Sequence, residues 1–160
     1  MMNYQMHRRK AFQRKDPYWD NVVLYLPLTG ANGSTVFTDV SKYVYTVSRY
    51  GNTVISTAQA PPLVGISSSG YFDGNGDFLF SNPDSNFGTG DYTLEMFSYF
   101  LDNTRNQAMI NMQGTDYADI APSLTTAGGK IIYRYGLGAP IITVTAPSNN
   151  QWFYLEVTLS

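Results

Sequence analysis

The 160-residue chain has no cysteine, which excludes a disulfide scaffold, a cysteine-ligated zinc site and a thiol nucleophile. Charged residues make up only 14 %, against roughly 25 % in ordinary soluble domains. There is one histidine, His7, and a Ser-His-Asp relay would need that base buried beside a serine and held by an acid. No apolar run approaches the roughly 20 residues that cross a bilayer, because Pro, Gly, Asn or Asp breaks each one. The first 15 residues are basic but lack the apolar middle of a secretory signal. A chain of this kind acting outside a cell would leave by another route, such as release with an assembled particle. The glycine pairs Gly74/Gly76, Gly88/Gly90 and Gly136/Gly138 never extend to G-x-G-x-x-G. Gly129-Lys130 is followed by Ile131, with Leu124 where a phosphate loop needs its first glycine, so nucleotide binding has no motif behind it.

What is present is apolar and aromatic. Hydrophobic residues reach 43 % and aromatics 15 %, with 13 Tyr, 9 Phe and 2 Trp. That is enough to fill a core, so whole-chain disorder is excluded. The net charge of −2 is unevenly spread. Arg8, Arg9, Lys10, Arg14 and Lys15 give the first 15 residues +5, and the remainder holds all 12 acids against five bases. A basic N-terminal arm, residues 1–16, thus precedes an acidic domain, residues 17–160. The arm reads either as a solvated terminus or as an anchor that orders against an acidic partner surface. So short an arm on an acidic body is a poor electrostatic footprint for nucleic acid.

Beyond Pro17 the pattern is β. Expected strands are Asn21–Leu28, Tyr43–Ser48, Thr53–Ser56, Asp91–Leu101, Gln107–Met112, Lys130–Tyr135, Ile141–Thr145 and Gln151–Leu159. Pro27 restricts the first to an edge or to its own end. Gly51-Asn52 signals a turn, and Gly74-Asn75-Gly76 predicts a tight hairpin between Tyr71–Asp73 and Phe78–Phe80. In Asp91–Leu101, period two puts Tyr92, Leu94, Met96 and Phe100 on one face and Asp91, Thr93, Glu95, Phe97 and Tyr99 on the other. The aromatic end of the second face is expected to be covered as well. In the last strand Phe153, Leu155, Val157 and Leu159 oppose Trp152, Tyr154, Glu156 and Thr158. No stretch of a dozen residues holds a helical period. Short strands at spacings of about 8–12 residues between Gly/Asn/Asp/Pro/Ser turns indicate an antiparallel sandwich or barrel.

Five segments, in order, resemble the laminin-G-like, concanavalin-A-like jelly-roll modules of secreted microbial and phage proteins. They are Asp16–Leu28 (DPYWDNVVLYLPL), Gly30–Asp39 (GANGSTVFTD), Ser69–Leu79 (SGYFDGNGDFL), Phe87–Phe97 (FGTGDYTLEMF) and Gln151–Leu159 (QWFYLEVTL). The resemblance implies an all-β jelly-roll sandwich of two curved antiparallel sheets. It also implies a role in binding glycans or proteins or in building virion or extracellular structures, with glycosidases a minority. Domains of that family continue past the strand matching Trp152–Leu159, whereas this sequence stops at Ser160. Either the remainder is lost or left out, or a neighbouring subunit completes an open sheet edge by strand exchange.

Residues able to carry chemistry are few. Asp91 and Glu95 lie on one strand face about 13 Å apart, too far for a glycosidase pair, and Thr93 stands where hydrolytic relatives have a tight acid-x-acid cluster. Their plain reading is Asp91 capping the Gly88-Thr89-Gly90 turn and Glu95 pointing into solvent. Asp73-Gly74-Asn75-Gly76-Asp77 imitates the opening of a calcium loop, but Phe78 occupies the glycine position and Asp84 the closing glutamate's. A calcium site at Asp39, Asp73 or Asp77 is therefore without a motif. Asn32-Gly33-Ser34 fits a glycosylation sequon and also reads as a turn. Trp152, Tyr154, Tyr133 and Tyr135 are the candidate sugar platform, since sugar rings lie on Tyr and Trp faces; Trp19 is expected to pack the arm's base. The expectation is thus a non-enzymatic structural or adhesive phage-virion component without a cofactor, docked by Arg8, Arg9, Lys10, Arg14 and Lys15. It would be virion-borne or extracellular, homo-oligomeric or part of a larger assembly, with no membrane or nucleic-acid partner. A glycan-binding module for a host-surface sugar is the alternative, and after it a glycosidase whose paired acids come from different strands.

Overall fold

A computed structural model describes residues 17–82, 90–112, 121–136 and 138–159. The expected arm, with His7, Arg8, Arg9, Lys10, Arg14 and Lys15, lies outside the described residues, as do Gly88 and Thr89. The architecture is all-β: the described residues include ten strands in four antiparallel sheets. Among the described residues the only helical element is a 3-10 turn, Trp19–Asn21, and no helix is long and apolar enough to cross a membrane. The chain divides between Ser85 and Asn86 into two compact units.

The first unit carries β1 (Val47–Tyr50), β2 (Val54–Ser56), β3 (Ser69–Tyr71) and β4 (Phe78–Ser81). Asn21–Leu28 forms no strand there. Its residues run extended after the 3-10 turn, and Pro27 and the left-handed backbone of Leu28 (φ 51°) break any ladder. One backbone bond, Val40 N to Tyr25 O (3.0 Å), ties it down. Similarly Val44 (φ 52°) delays the expected Tyr43–Ser48 strand to Val47.

The hairpin expected across Gly74-Asn75-Gly76 is also corrected. β3 and β4 follow one another but pair with β2 and β1 respectively, Val54 opposite Tyr71 and Tyr50 opposite Phe78. Two strand pairs are thus nested, with Gly51–Thr53 facing Phe72–Asp77 where the ladder is interrupted. Side chains hold that break. Asp77 accepts from the backbone N–H of Asn52 (2.7 Å) and of Asp73 (2.8 Å), and Asp73 accepts from that of Asn75 (2.7 Å). Gly51 (φ 70°) sits where an added Cβ would run into the Asp77 carboxylate, so a glycine is needed.

The second unit carries β5 (Tyr92–Tyr99), β6 (Gln107–Asn111), β7 (Pro122–Ala127), β8 (Lys130–Tyr135), β9 (Ile142–Thr145) and β10 (Trp152–Leu159). β5 pairs with β10 over eight residues, Tyr92 opposite Leu159 and Tyr99 opposite Trp152. β6–β7–β8–β9 form the larger sheet. The core draws Leu94 and Val157 from the first sheet and Leu124, Ile131 and Tyr133 from the second, with Phe100 and Ala146. Side chains of both sheets meeting in one cluster make this arrangement compatible with a β-sandwich. The expected facing holds: Tyr92, Leu94 and Met96 are covered while Thr93, Glu95 and Phe97 are exposed. The expected covering of the outer aromatic end fails at Phe97, which stays 39 % exposed.

Candidate functional site

Three places assemble side chains able to act. The first surrounds Asp39, only 1 % exposed. Its carboxylate accepts from the backbone N–H of Tyr25 (3.0 Å), Ser41 (2.8 Å) and Tyr45 (2.9 Å) and from the Ser41 hydroxyl (2.8 Å). Burial alone pushes the carboxyl up, but the hydrogen bonds from Tyr25, Ser41 and Tyr45 outweigh it and hold Asp39 below the ordinary carboxylate range. Every donor comes from its own surroundings, so Asp39 closes its own loop through Tyr45 and ties it to the segment of Tyr25. Asp73 and Asp77 likewise spend oxygens on backbone N–H groups. Among the described residues no group of three or more His, Cys, Asp or Glu converges as metal ligands do. Asn32 accepts from Thr57 N–H (3.0 Å) at a turn.

The second is a shallow depression of about 70 Å³ lined by Pro27, Leu28, Val36, Phe37, Val40 and Ile55. It is small beside the roughly 300–1,000 Å³ of small-molecule sites.

The third is the outward face of β5 and β10. Alternation sends Leu94, Met96, Leu155 and Val157 inward, and the antiparallel register aligns what is left outside. Trp152 stands opposite Tyr99, Tyr154 opposite Phe97, Glu156 opposite Glu95 and Thr158 opposite Thr93. The rings of Tyr99 and Trp152 lie 5.5 Å apart, and those of Phe97 and Tyr154 5.2 Å, both tilted. Tyr154 is 47 % exposed. Its hydroxyl hydrogen-bonds to Glu95 and lies 3.0 Å from Glu156, so one phenol proton serves two carboxylates. The bond to Glu95, then burial and the bond to Glu156, raise the Tyr154 phenol above its ordinary value. Thr158 donates to the second oxygen of Glu156 (3.2 Å). Neither glutamate has a cationic partner among the described residues. The result is a strip of four rings followed by two carboxylates, with Phe97, Tyr154, Glu95 and Glu156 exposed and Tyr99 and Trp152 half-buried.

The four platform candidates therefore separate. Trp152 and Tyr154 lie on this outer face. Tyr133 is 3 % exposed inside the core, its hydroxyl hydrogen-bonded to that of Tyr92. Burial, then that bond, raise Tyr92. Tyr135 shares the face of Tyr133 along β8 and is half-buried. Neither is positioned to join Trp152 and Tyr154. Phe97, Tyr99, Glu95 and Glu156, which complete the strip, were legible as outward residues, but only the register shows that they adjoin Trp152 and Tyr154. Another exposed pair, Tyr50 stacked on Phe78 at 4.3 Å, occupies the first unit without carboxylates opposite. Trp19 packs edge-on against Tyr25 at 5.9 Å. No family model, curated protein or solved structure matches this chain.

Proposed function

We propose that this chain is a non-enzymatic adhesive module, a laminin-G-like jelly-roll of a phage particle, that holds neutral glycans on the outer β5–β10 face. The observation that carries this reading is the outward row of Trp152, Tyr99, Tyr154 and Phe97, of which Tyr154 and Phe97 are exposed and the other two half-buried, ending at Glu95 and Glu156. Sugar rings present apolar C–H faces that lie on aromatic rings, and their hydroxyls donate to carboxylates. Two carboxylates without a cationic partner among the described residues repel uronic and sialic acids, so the face favours neutral sugars. A strip on an outer sheet face suits holding rather than hydrolysis, which places paired acids around a bound ring and away from bulk water. The segment with Arg8, Arg9, Lys10, Arg14 and Lys15 serves as the anchor to an acidic surface of the particle.

A glycan array tests the binding half. Neutral oligosaccharides should bind wild type, weaken about two- to tenfold in Tyr154→Ala and Trp152→Ala for one lost aromatic contact, and outcompete sialylated ones. Binding that survives replacement of all four rings rejects the platform. Deleting residues 1–15 tests the anchor, and undiminished incorporation into particles rejects it.

A further inference from the structure

We infer that β9 is an interface strand that pairs antiparallel with β9 of a second copy about a two-fold axis through Val144. β9 is the last strand of its sheet, bonded to β8 on one side and to no strand on the other among the described residues. All four of its residues are exposed. It lacks the usual protections of an edge, which are charge, an internal proline or a bulge. Its run Ile141–Ala146 is uncharged and proline-free, with Pro140 and Pro147 just outside. The opposite edge strand, β6, is by contrast irregular, its register slipping between Ala108 and Ile110.

The core face also runs off this edge. Ile131 lies opposite Val144 and Tyr133 opposite Ile142. Ile131 and Tyr133 are both 3 % exposed, whereas Ile142 and Val144 on the same face are each 46 % exposed. A hydrophobic layer therefore continues one strand beyond its cover.

Sequence symmetry selects a second copy as the occupant. Ala146 N donates to Gly129 O (2.9 Å), and antiparallel alternation puts the next bonded pair at Val144 and Ile131, leaving the backbone N–H and C=O of Thr143 and Thr145 pointing outward. Thr143-Val144-Thr145 is palindromic. A two-fold axis at Val144 makes Thr143 and Thr145 exchange bonds with Thr145 and Thr143 of the other copy. It sets Val144 against its own equivalent and Ile142 against Ala146. Threonine pairs and β-branched contacts of this kind favour cross-strand pairing, no like charges meet, and the interface closes on itself. This surface is separate from the β5–β10 face, so either proposal can fail alone.

The cysteine-free background makes the register testable. The central pair is of the non-hydrogen-bonded type, with Cα atoms about 4.5 Å apart, inside the disulfide range. Val144→Cys should oxidise to a disulfide-linked dimer and Thr143→Cys should not, since two-fold symmetry sets Thr143 opposite Thr145. Native mass spectrometry should show a wild-type dimer. Thr143→Pro, which removes an outward N–H that no ladder bond uses, should be a monomer with an unchanged circular dichroism spectrum. A monomeric wild type from micromolar to millimolar concentration, equal cross-linking of both cysteine variants, or a Thr143→Pro dimer overturns the proposal.

Discussion

Replacing Asp39 tests the physical account of the first unit most sharply. Among its described residues the buried hydrophobics are Phe37 and Ile55, while Asp39, Ser41, Thr53 and Ser68 are buried polar residues. A unit with so little buried hydrocarbon depends on its internal hydrogen bonds. Asp39→Ala leaves the N–H groups of Tyr25, Ser41 and Tyr45 without their acceptor. Each bond to a charged acceptor contributes about 1.5–3 kcal/mol. Water reaching the half-buried Tyr25 and Tyr45 offsets part of that loss, as does no longer burying a charge. The expected cost is about 3–5 kcal/mol. Asp39→Asn keeps one oxygen for Tyr25 and Ser41 but turns an amide N–H toward that of Tyr45, for about 1–3 kcal/mol.

The pH dependence carries a definite sign. Asp39 is held below its ordinary value in the fold. Its contribution is therefore complete above the unfolded value near ~3.9 and fades as pH falls from there through the folded one. Urea unfolding followed by Trp19, whose ring contacts Tyr25, in a Trp152→Phe background reports on this unit alone. A midpoint shift for Asp39→Ala equivalent to less than about 0.5 kcal/mol, the range of neutral surface changes, would refute the reasoning. So would an acid dependence identical in Asp39→Asn.

Three further outcomes follow from local geometry. Val44 holds a left-handed backbone that costs a β-branched residue about 1–2 kcal/mol; Val44→Gly should raise stability by about 0.5–1 kcal/mol in the same urea assay. Gly51→Ala should lower it by about 2 kcal/mol or more, since its Cβ meets the Asp77 carboxylate and lies 2.9 Å from Gly76 O. Tyr25, Tyr92 and Tyr154 all have raised phenol values. The folded chain thus holds these protons more tightly than the unfolded one, and stability should fall as pH rises past ~10. Ultraviolet titration of tyrosinate should show a late-ionising group, and Glu95→Gln should move Tyr154 earlier.

Much of the second unit was legible because alternation there is strong and covered on one side. β8 matches Lys130–Tyr135 to the residue, and β5 and β10 keep the expected faces. β7 escaped notice because Pro122-Ser123-Leu124-Thr125-Thr126-Ala127 is small and polar and opens on proline. It strands through burial between β6 and β8, with Pro122, Ser123, Leu124 and Thr126 all buried. In the first unit the turn residues were visible but their partners were not. Gly74-Asn75-Gly76 signals a reversal, yet bonds from Asp73 and Asp77 make it an insert between two strand pairs. Tyr133 lies in the core and Tyr135 is half-buried on the same face as Ile131, and an aliphatic neighbour at period two is the sign of an inward set.

Alternation also separates what holds the second unit together from what it presents. On β5, Leu94 is 7 % exposed within the core cluster while Phe97, three residues on and on the opposite face, lies outside with Tyr154. Leu94→Ala empties a packed site and should cost about 3–4 kcal/mol of unfolding free energy. Phe97→Ala removes a ring already 39 % exposed and should cost about 1 kcal/mol or less, while reducing glycan capture as far as Tyr154→Ala does. Urea midpoints and array signals measured on both variants should therefore rank oppositely. If Phe97→Ala unfolded the chain as readily as Leu94→Ala, the β5–β10 outer face would be a buried structural surface and would not be free to bind.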